Sequence, residues 1–321
     1  MNLTDLPVVD EALLRQRVSP RAAVDALEAA LRDGSAPGLT PPRGVLEVPT
    51  GQLLLMPSAS SRYVGVKLAS VATGNAELGL PRVQGVYVLF DAATLSPVAL
   101  IDGAALTTLR TPAISALALR YLLPGHAAGA AVGDLHLTCL GTGPQGYGHL
   151  EAVAAEAGLS RVSVVGRDPG RAQSMAQWCR DHGWAAEVVA ADEADAVRAA
   201  MQSSDVVVAA TTARQPVVHA DWLAPEAVVL AVGSHEPTAR EVDTATVLAA
   251  TVVVDTRDGA LREAGDLLVP IAEGACGPEV VDADLAELVR GGVDVAAGRP
   301  RLFKSCGQAW QDLVVAATAV Q

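Results

Sequence analysis

The second half of the chain is dominated by short apolar runs of the kind that form buried strands. The first begins at His136, and the later ones read "RVSVVG", "AEVVAA", "SDVVVAATT", "AVVLAVGS" and "ATVVVDT". Their positions do not alternate between apolar and polar residues, which is typical of strands covered on both faces. The stretches between them are long enough for a crossover helix or a short connection. The pattern therefore predicts six strands of a parallel sheet covered by helices.

A glycine-rich turn follows the first of these strands. The sequence "HLTCLGTGPQGY" leads from an apolar strand into Gly141, Gly143 and Gly146, spaced as GxGxxG, and then into a predicted helix. In such a turn the first glycine permits the tight bend, the second lets the backbone approach a pyrophosphate, and the third lets the helix pack on the strand. We therefore predict a dinucleotide site here, with Pro144 and Gln145 as part of the cofactor-binding turn.

The region ahead of this sheet has a different pattern. Strand-like runs alternate there with Pro/Gly turns, which predicts an antiparallel or mixed sheet that ends in a helix. Thr111 is the predicted N-cap of that helix, and Pro112 fits its first turn. Pro124 and Gly125 form a breaker pair that we take as a domain boundary. The Rossmann domain is predicted over residues 119–302.

Composition and charge exclude several classes of partner. The chain has 321 residues, enough for two domains, and 50% of them are hydrophobic. A formal net charge of -13 argues against binding nucleic acid or an anionic membrane surface. The sequence has neither a basic segment ahead of an apolar block at its start nor eighteen consecutive uncharged apolar residues. A soluble cytoplasmic protein is expected.

The cysteines do not suggest a metal site. Cys139, Cys179, Cys276 and Cys306 lack CxxC spacing, and the six histidines do not accompany them at metal-ligand intervals. We expect no bound metal. Because Cys139 lies inside the first predicted strand, it is expected to behave as a small buried hydrophobe.

Lys67 places an ammonium group in the otherwise apolar strand "YVGVKLASV". A buried lysine needs an anionic partner or loses its proton. One interpretation is that Lys67, helped by Arg43 and Arg110, binds the carboxylate of a substrate through charge-assisted hydrogen bonds. Arg110 directly precedes Thr111, where a helix start would add positive potential. The alternative is an edge-strand lysine in solvent and two surface arginines.

Residues at the ends of the other predicted strands suggest which cofactor binds. After the second strand, "VVGRDPGR" places Arg167 and Arg171 around a phosphate-sized position, which favours NADP(H). Asp168 keeps NAD(H) possible, since it could hold the ribose hydroxyls or simply cap a helix. Further candidates for cofactor binding end the fourth and fifth strands and are Thr211, Thr212, Gly233 and Ser234. Ordinary polarity at strand-to-loop junctions would also account for these residues.

Seven segments of the chain, in order, resemble the ornithine cyclodeaminase and mu-crystallin family. They are "GVKLASV", "GLPRVQGVYVLFD", "LIDGAALTTLRTPAISALA", "LGTGPQGYGHLEAV", "AVGSHEPTAREVD", "VVVDTRDGALREAGDL" and "LFKSCGQAWQD". The resemblance implies an α/β fold in which a Rossmann-type doubly wound parallel sheet is inserted in a second α+β domain. That second domain, residues 1–118 plus 303–321, would bind substrate and form a homodimer.

The resemblance also implies roles for individual residues. Arg43, Lys67 and Arg110 fall on the positions that hold the substrate carboxylate in family members. Lys304, in "LFKSCG", would approach the substrate as the chain returns from the Rossmann domain, or else be an exposed lysine. Thr111 is also expected to bind the cofactor. The "GRD" sequence after the second strand is similar to the arginine-containing sequence that family members using NADP have at this position.

The expected reaction follows from two residues that differ from the family pattern. The cyclodeaminases have a glutamate before "LMP" and an aspartate after the fifth strand, where this chain has Leu54 and His235. Losing both carboxylates argues against ornithine cyclodeamination, and losing the aspartate argues against alanine dehydrogenation. Reducing a small cyclic ketimine carboxylate, such as pyrroline-2-carboxylate or piperideine-2-carboxylate, needs only a carboxylate anchor, an aligned nicotinamide and a protonated imine.

The proton for such a reduction has two candidate sources in the sequence. We take Lys67 and His235 as the catalytic candidates, because an imidazole can supply or relay a proton near neutral pH. The alternative for His235 is a loop histidine bonded to backbone. Two other functions stay open from sequence: a mu-crystallin-like protein that binds NADPH and a small ligand without catalysis, and an opine-type dehydrogenase that condenses an amine.

Overall fold

The computed structural model describes residues 5–123 and 134–320, which fall into two compact units. One unit takes in the chain up to residue 113 and from residue 308 onward, and the other takes in residues 114–307. The sequence placed these junctions at 118/119 and 302/303. The breaker pair Pro124 and Gly125 lies outside the described residues.

A mixed sheet forms the frame of the first unit. In the described residues it has six strands in the order β1-β6-β5-β4-β3-β2, with β1 parallel to β6 and every other pair antiparallel. The strands are β1 (Val8–Val9), β2 (Gly44–Val48), β3 (Gly51–Ala59), β4 (Tyr63–Val71), β5 (Val83–Asp91) and β6 (Pro97–Asp102). Its helices up to this point are α1 (Glu11–Arg17) and α2 (Pro20–Arg32), with a 3₁₀ helix at Thr73–Leu78.

The next helix, α3 (Gly103–Leu122), begins eight residues before the predicted N-cap. Asp102 caps it, because its Oδ1 accepts the N–H groups of Ala104 and Ala105 at 2.9 Å each. The prediction that Thr111 caps the helix and that Pro112 lies in its first turn is therefore wrong. Proline inside the helix removes one backbone hydrogen bond, and the long apolar stretch around it is buried enough to keep the helix continuous.

A fully parallel sheet forms the frame of the second unit, which confirms the α/β, Rossmann-type fold. Its strands, in the order β13-β12-β14-β11-β10-β7-β8-β9, are β7 (Leu135–Leu140), β8 (Leu159–Gly166), β9 (Ala185–Ala190), β10 (Val206–Ala209), β11 (Val228–Ala231), β12 (Thr251–Val254), β13 (Ala283–Asp284) and β14 (Arg301–Lys304). The helices are α4 (Pro144–Ala157), α5 (Pro169–Asp181), α6 (Ala194–Gln202), α7 (Thr244–Ala249), α8 (Arg257–Glu263), α9 (Gly265–Ala272) and α10 (Leu285–Val289), with 3₁₀ helices at Ala220–Trp222 and Pro278–Val280. A final helix, α11 (Ala309–Ala319), belongs to the first unit.

The sheet of the second unit has eight strands in the described residues, rather than the six that the apolar runs predict. The two additional strands carry weak signals. β13 has only two residues, and β14 reads "RLFK", with a cation at each end of two apolar residues. All four side chains of β14 are nevertheless buried, because the strand lies between β11 and β12.

The strand order fixes where a ligand can enter this sheet. β7 lies between β8 and β10, so the chain builds the sheet outward in both directions from β7. At such a point, connections leave on opposite faces and open a crevice at the carboxyl ends of the two strands. The residues that directly follow β7 and β10 therefore line the expected cofactor crevice of the second unit.

Three of the cysteines are buried, among them Cys139, as the sequence predicts. They are Cys139, Cys179 and Cys306, whereas Cys276 is half-buried. Burial raises the pKa of the Cys139 thiol to about 12, so this thiol stays protonated at neutral pH. Within the described ranges, no group of three or more His, Cys, Asp or Glu side chains could hold a metal ion, and none of the helices there is long and apolar enough to cross a membrane.

Candidate functional site

The glycine turn after β7 leaves its backbone open on one side. Gly141 has φ +110°, and a Cβ there would lie 2.4 Å from the carbonyl oxygen of Ala210. A Cβ on Gly146 would lie 2.5 Å from the carbonyl oxygen of Gly141. By contrast, a Cβ on Gly143 would meet no atom within 4 Å. Backbone contact at two glycines and open space at the third suit the close approach of a pyrophosphate.

The start of α4 suits an anion as well. Gly143 is its N-cap, so no side chain caps the helix, and Pro144 occupies the first turn. The positive end of the helix dipole therefore faces the open side of the turn. The carbonyl of Gln145 accepts the Nδ1 proton of His149 at 2.7 Å, and the Ser115 hydroxyl lies 2.9 Å from Nε2. Burial lowers the pKa of His149 to about 4, so a neutral imidazole holds this first turn.

The end of β8 carries the residues predicted to choose between cofactors. Arg167 is exposed, and its Nη2 donates to Thr212 Oγ1 at 3.4 Å. Asp168 is the N-cap of α5, where its Oδ1 accepts the N–H of Arg171 at 3.0 Å. The Arg171 side chain is 72% exposed and only 3.9 Å from Asp168 Oδ2. The capping role weighed for Asp168 is thus present, and both arginines extend into solvent beside the crevice.

The ends of β10 and β11 hold the other predicted cofactor residues. Thr211 is half-buried and Thr212 is exposed in the loop after β10. Gly233 is half-buried after β11, and the buried Ser234 donates its hydroxyl to the carbonyl of Ala239. His235 lies half-buried in the same loop, after strand β11.

Lys304 lies in the parallel sheet of the second unit. It is neither exposed nor placed as a group that approaches the substrate. It ends β14 with its side chain fully buried, so it is not an exposed lysine. Its Nζ lies 2.8 Å from Asp266 Oδ2 and donates to the carbonyl of Ser234 at 2.6 Å. Burial is the largest influence on the pKa of Lys304 and lowers it, but the charges of Asp266, Cys306 and Glu241, together with the hydrogen bond to Asp266, raise that pKa overall. These contacts indicate a structural cation rather than a group waiting for substrate.

Lys67 is central to a buried cluster in the first unit. It lies on β4, between β3 and β5, and is 2% exposed, so the edge-strand interpretation is wrong. Its Nζ donates to both carboxylate oxygens of Asp312 on α11, at 2.9 and 2.8 Å, and to Thr107 Oγ1 at 3.2 Å. The residue opposite Lys67 on β5 is Tyr87, which is fully buried on the same face of the sheet.

Arg110 meets the same carboxylate from α3. It is 4% exposed, lies in the third turn of the helix rather than at its start, and donates from Nε to Asp312 Oδ1 at 3.0 Å. Its Nη1 donates to Gln311 Oε1 at 2.8 Å. Thr111, the next residue of α3, is buried at 8% exposure. Arg110 and Lys67 are therefore brought together, but by an internal acid that the sequence analysis did not single out.

The charges of this cluster do not balance. Asp312 is the one carboxylate to which either Lys67 or Arg110 is bonded among the described contacts. Burial, and then the positive charge of Arg110, lower the pKa of Lys67 to about 8, and Asp312 only partly opposes this. Arg43, which is half-buried, lowers the same pKa, so its charge also acts on the cluster. Such an excess of buried positive charge favours binding of a further anion.

Leu54 occupies the position where the cyclodeaminases carry a glutamate. It is 7% exposed on the inner face of β3 and packs with Met56, Ala69 and Ala309. A carboxylate at this position would be buried among apolar side chains, and the present leucine offers nothing to hold an ammonium group. At this position, therefore, the chain has no group suited to the distal amine of ornithine.

Three buried acids of functional interest were missed in the sequence analysis: Asp312, Asp266 and Glu241. Each is fully buried. Asp312 lies in the apolar run "AWQDLVVAATA" and Asp266 in "GDLLVPIA", so the reasoning used for Lys67 would have found both. Glu241 lies in a loop among polar neighbours, where nothing in the sequence distinguishes it from an exposed acid.

Comparison with known proteins gives the same family over nearly the whole chain. The model of the ornithine cyclodeaminase/mu-crystallin family matches residues 9–321. A Delta(1)-pyrroline-2-carboxylate/Delta(1)-piperideine-2-carboxylate reductase of Azospirillum brasilense is 35% identical over 323 residues, which cover 99% of this chain and 96% of that protein.

Solved structures agree with this match. The Delta(1)-pyrroline-2-carboxylate reductase of Thermococcus litoralis, in complex with NADH and L-proline, has a TM-score of 0.89 and 30% identity, covering 98% of this chain and 96% of that one. An archaeal alanine dehydrogenase dimer with bound NAD has a TM-score of 0.87 and 29% identity, covering 98% and 95%. The chain belongs to the ornithine cyclodeaminase/mu-crystallin family.

Proposed function

We propose that this protein is an NAD(P)H-dependent reductase of small cyclic ketimine carboxylates, which converts pyrroline-2-carboxylate or piperideine-2-carboxylate to the cyclic amino acid. The observation that carries the proposal is the buried cluster in which Lys67 and Arg110 share the single carboxylate of Asp312. Its excess positive charge suits a substrate carboxylate. The reductase activities of the Azospirillum and Thermococcus relatives support the same substrate class.

In this mechanism the first unit binds the substrate and the second binds the cofactor. Lys67, Arg110 and Arg43 hold the carboxylate, and charge-assisted bonds of this type contribute about 1.5 to 3 kcal/mol each. The cofactor, when bound at the glycine turn, supplies the hydride. Reduction adds that hydride to the imine carbon and a proton to the nitrogen. Lys67 Nζ, with a pKa of about 8, carries a proton at neutral pH, and His235 is the second candidate donor.

Cyclodeamination fits the same residues less well. It requires groups that hold and deprotonate an amine before the ring closes, and carboxylates suit that task. Leu54 is packed among apolar side chains, and His235 replaces the second acid. Alanine dehydrogenation is the second candidate, because an archaeal alanine dehydrogenase shares the fold closely. It would release ammonia in the oxidative direction, which makes the two activities separable by assay.

For the cofactor we propose a preference for NADPH. The exposed guanidinium groups of Arg167 and Arg171 follow β8, where a 2'-phosphate would lie in a Rossmann site. Asp168 uses Oδ1 to cap α5. NADH use also remains part of the test, because the Thermococcus reductase was solved with NADH.

For the assembly we propose a homodimer through the outer face of the mixed sheet. This face is opposite to the face that carries Lys67. Neighbouring strands each contribute apolar side chains to it. These apolar side chains are half-buried or exposed in the described part of the chain. They include Leu46, Leu55, Val66, Leu68, Val88 and Leu100. A contiguous apolar sheet face of this kind needs a partner. The dimeric state of the archaeal alanine dehydrogenase supports this arrangement.

The test is a matched set of turnover assays on the purified protein. Pyrroline-2-carboxylate and piperideine-2-carboxylate are each mixed with NADPH or NADH, and nicotinamide absorbance is followed. In parallel, ornithine or alanine is incubated with NAD⁺ or NADP⁺ and ammonia is measured. We expect imine-dependent oxidation of the reduced cofactor and no ammonia. Ammonia release from ornithine or alanine, without imine reduction, would overturn the proposal.

A further inference from the structure

One buried carboxylate ties together the loops that follow β10 and β11. Glu241 is fully buried, and its Oε1 accepts the N–H of Thr211 and the Thr211 hydroxyl, both at 2.7 Å. Its Oε2 accepts the N–H of Gly233 at 2.6 Å. Three donors from two different loops therefore converge on one side chain, which itself comes from a third segment.

The position of Glu241 is fixed by two further buried charges. Asp266, at the start of α9, accepts the N–H groups of Glu241 and Val242 at 2.6 and 2.9 Å through Oδ1. Lys304 binds the other oxygen of Asp266 and also the carbonyl of Ser234. The loop after β11 is thus held at Gly233 by Glu241 and at Ser234 by Lys304. The network connects the carboxyl ends of β10, β11 and β14, three neighbouring strands.

This network lies beside the cofactor crevice of the second unit. Thr211 comes two residues after β10, the strand next to β7 on the side where the strand order reverses. The carbonyl oxygen of Ala210 approaches the position of a Cβ on Gly141 to 2.4 Å, so the loop after β10 contacts the glycine turn. A shift of Thr211 or Gly233 would therefore move the wall of the crevice that receives a dinucleotide.

We propose that Glu241 is a positioning residue for the nicotinamide cofactor, acting through Thr211 and Gly233. This inference rests on the cofactor binding of the proposed function and goes beyond it. An acceptor-only group is required, because every one of its three partners is a donor. Burying a carboxylate is costly, and burial raises the pKa of Glu241 to about 7, while the charge of Lys304 and the hydrogen bonds from Thr211 oppose this and favour the ionised form.

Glutamine is the variant that separates this role from simple packing. Glu241→Gln keeps the size of the side chain but turns one acceptor oxygen into an NH₂ group, which would face an N–H of Thr211 or Gly233. Two opposed donors force one loop to move. Asp205→Asn is the control for changing an acceptor of a backbone N–H away from the crevice, since the exposed Asp205 accepts the N–H of His136 through Oδ2 at the amino end of the same sheet.

The experiment measures cofactor binding directly, by titrating the full-length protein with NADPH and NADH and following nicotinamide fluorescence. We expect Glu241→Gln to weaken binding of the preferred cofactor about tenfold or more, with an unchanged KM for the imine at saturating cofactor. Asp205→Asn should bind cofactor like the wild type, and Glu241→Asp should recover part of the loss. Wild-type affinity in Glu241→Gln, or an equal loss in both variants, would overturn the inference.

A second variant covers the case in which Glu241→Gln does not fold. Thr211→Val removes one donor to Glu241 while keeping the backbone bond, and we expect cofactor binding to weaken about two- to fivefold. An unchanged affinity would then count against the inference. Because binding is measured without imine, a wild-type protein that binds NADPH but reduces no imine would refute the proposed function and still test the role of Glu241.

Discussion

Replacing Asp312 by asparagine removes the negative charge that Lys67 and Arg110 share. The carboxylate accepts three hydrogen bonds, two from Lys67 Nζ at 2.9 and 2.8 Å and one from Arg110 Nε at 3.0 Å. Asparagine keeps one acceptor oxygen, but its NH₂ group faces a cation. Both cations then remain buried without a counter-charge, and their mutual repulsion is no longer offset.

The expected loss of stability is large. Counted once for each of the two cations, the lost charge-assisted bonding is about 1.5 to 3 kcal/mol each, or about 3 to 6 kcal/mol together. Removing one partner of a buried ion pair costs about 3 to 5 kcal/mol in measured cases, so the two approaches agree. Against a total stability of about 5 to 15 kcal/mol, the variant should fold, with a melting temperature lowered by about 5 to 15 °C.

The loss should also depend on pH, through Lys67. Burial and Arg110 already lower its pKa from 10.5 to about 8, and removing the Asp312 carboxylate lowers it further, because that group opposes the shift. A folded-state pKa below the unfolded value means that stability rises with pH once Lys67 starts to lose its proton. In the variant this rise begins at a lower pH than in the wild type. The difference between the two proteins should therefore be smaller at about pH 9 than at about pH 6.

The assay is thermal unfolding of wild type and Asp312→Asn at both pH values, followed by tryptophan fluorescence, to which the buried Trp310 contributes. Glu156→Gln is the control, because it breaks a buried pair with Arg120, at 2.7 Å, that contains no lysine. Its loss should be the same at both pH values. Unchanged stability in Asp312→Asn would refute the shared counter-charge. If the stability loss of Asp312→Asn were the same at both pH values, as expected for Glu156→Gln, the titration of Lys67 would be refuted.

Three other measurements test the site and the assembly. Inhibition by pyrrole-2-carboxylate should weaken about tenfold per pH unit above about pH 8, as Lys67 loses its proton. In Lys67→Arg the inhibition constant should not change with pH over this range. The same pH dependence in both proteins would contradict this role of Lys67. Arg167→Ala should raise the KM for NADPH about tenfold and leave that for NADH nearly unchanged; equal effects would remove Arg167 from the 2'-phosphate site. Val66→Glu on the outer sheet face should give monomers in light scattering, and an unchanged mass would refute the proposed interface.

The parallel sheet was predictable because its strands are marked locally. Continuous apolar runs identified β7 to β12, and the glycine spacing located the turn after β7. β14 escaped the same reasoning, because its burial depends on its neighbours rather than on its own composition. Its two terminal cations, Arg301 and Lys304, interrupt the apolar pattern, yet both are buried where the strand lies between β11 and β12.

The start of α3 was wrong for a related reason. Thr111 followed by Pro112 is a strong local signal for a helix start. Asp102, followed by the small residues Gly103 and Ala104, is a second such signal. Local signals rank such alternatives by propensity alone. The burial of the helix on both sides of Pro112 decides between them, and burial depends on the rest of the fold.

Buried charges show where prediction from sequence reaches its limit in this protein. A lysine in an apolar strand implies an anionic partner, and that inference was correct for Lys67, but its partner Asp312 is 245 positions away. The sequence offered substrate as the partner, whereas the fold supplies an acid of its own and leaves the excess charge for substrate. The same holds for Lys304, whose partner Asp266 is also a buried acid. A buried charge in sequence therefore indicates that a pair exists, and only the tertiary structure shows whether the pair is complete. In the first unit it is not, since two cations share one carboxylate, and this remaining imbalance, rather than the presence of Lys67 alone, is the feature that supports a site for a carboxylate substrate.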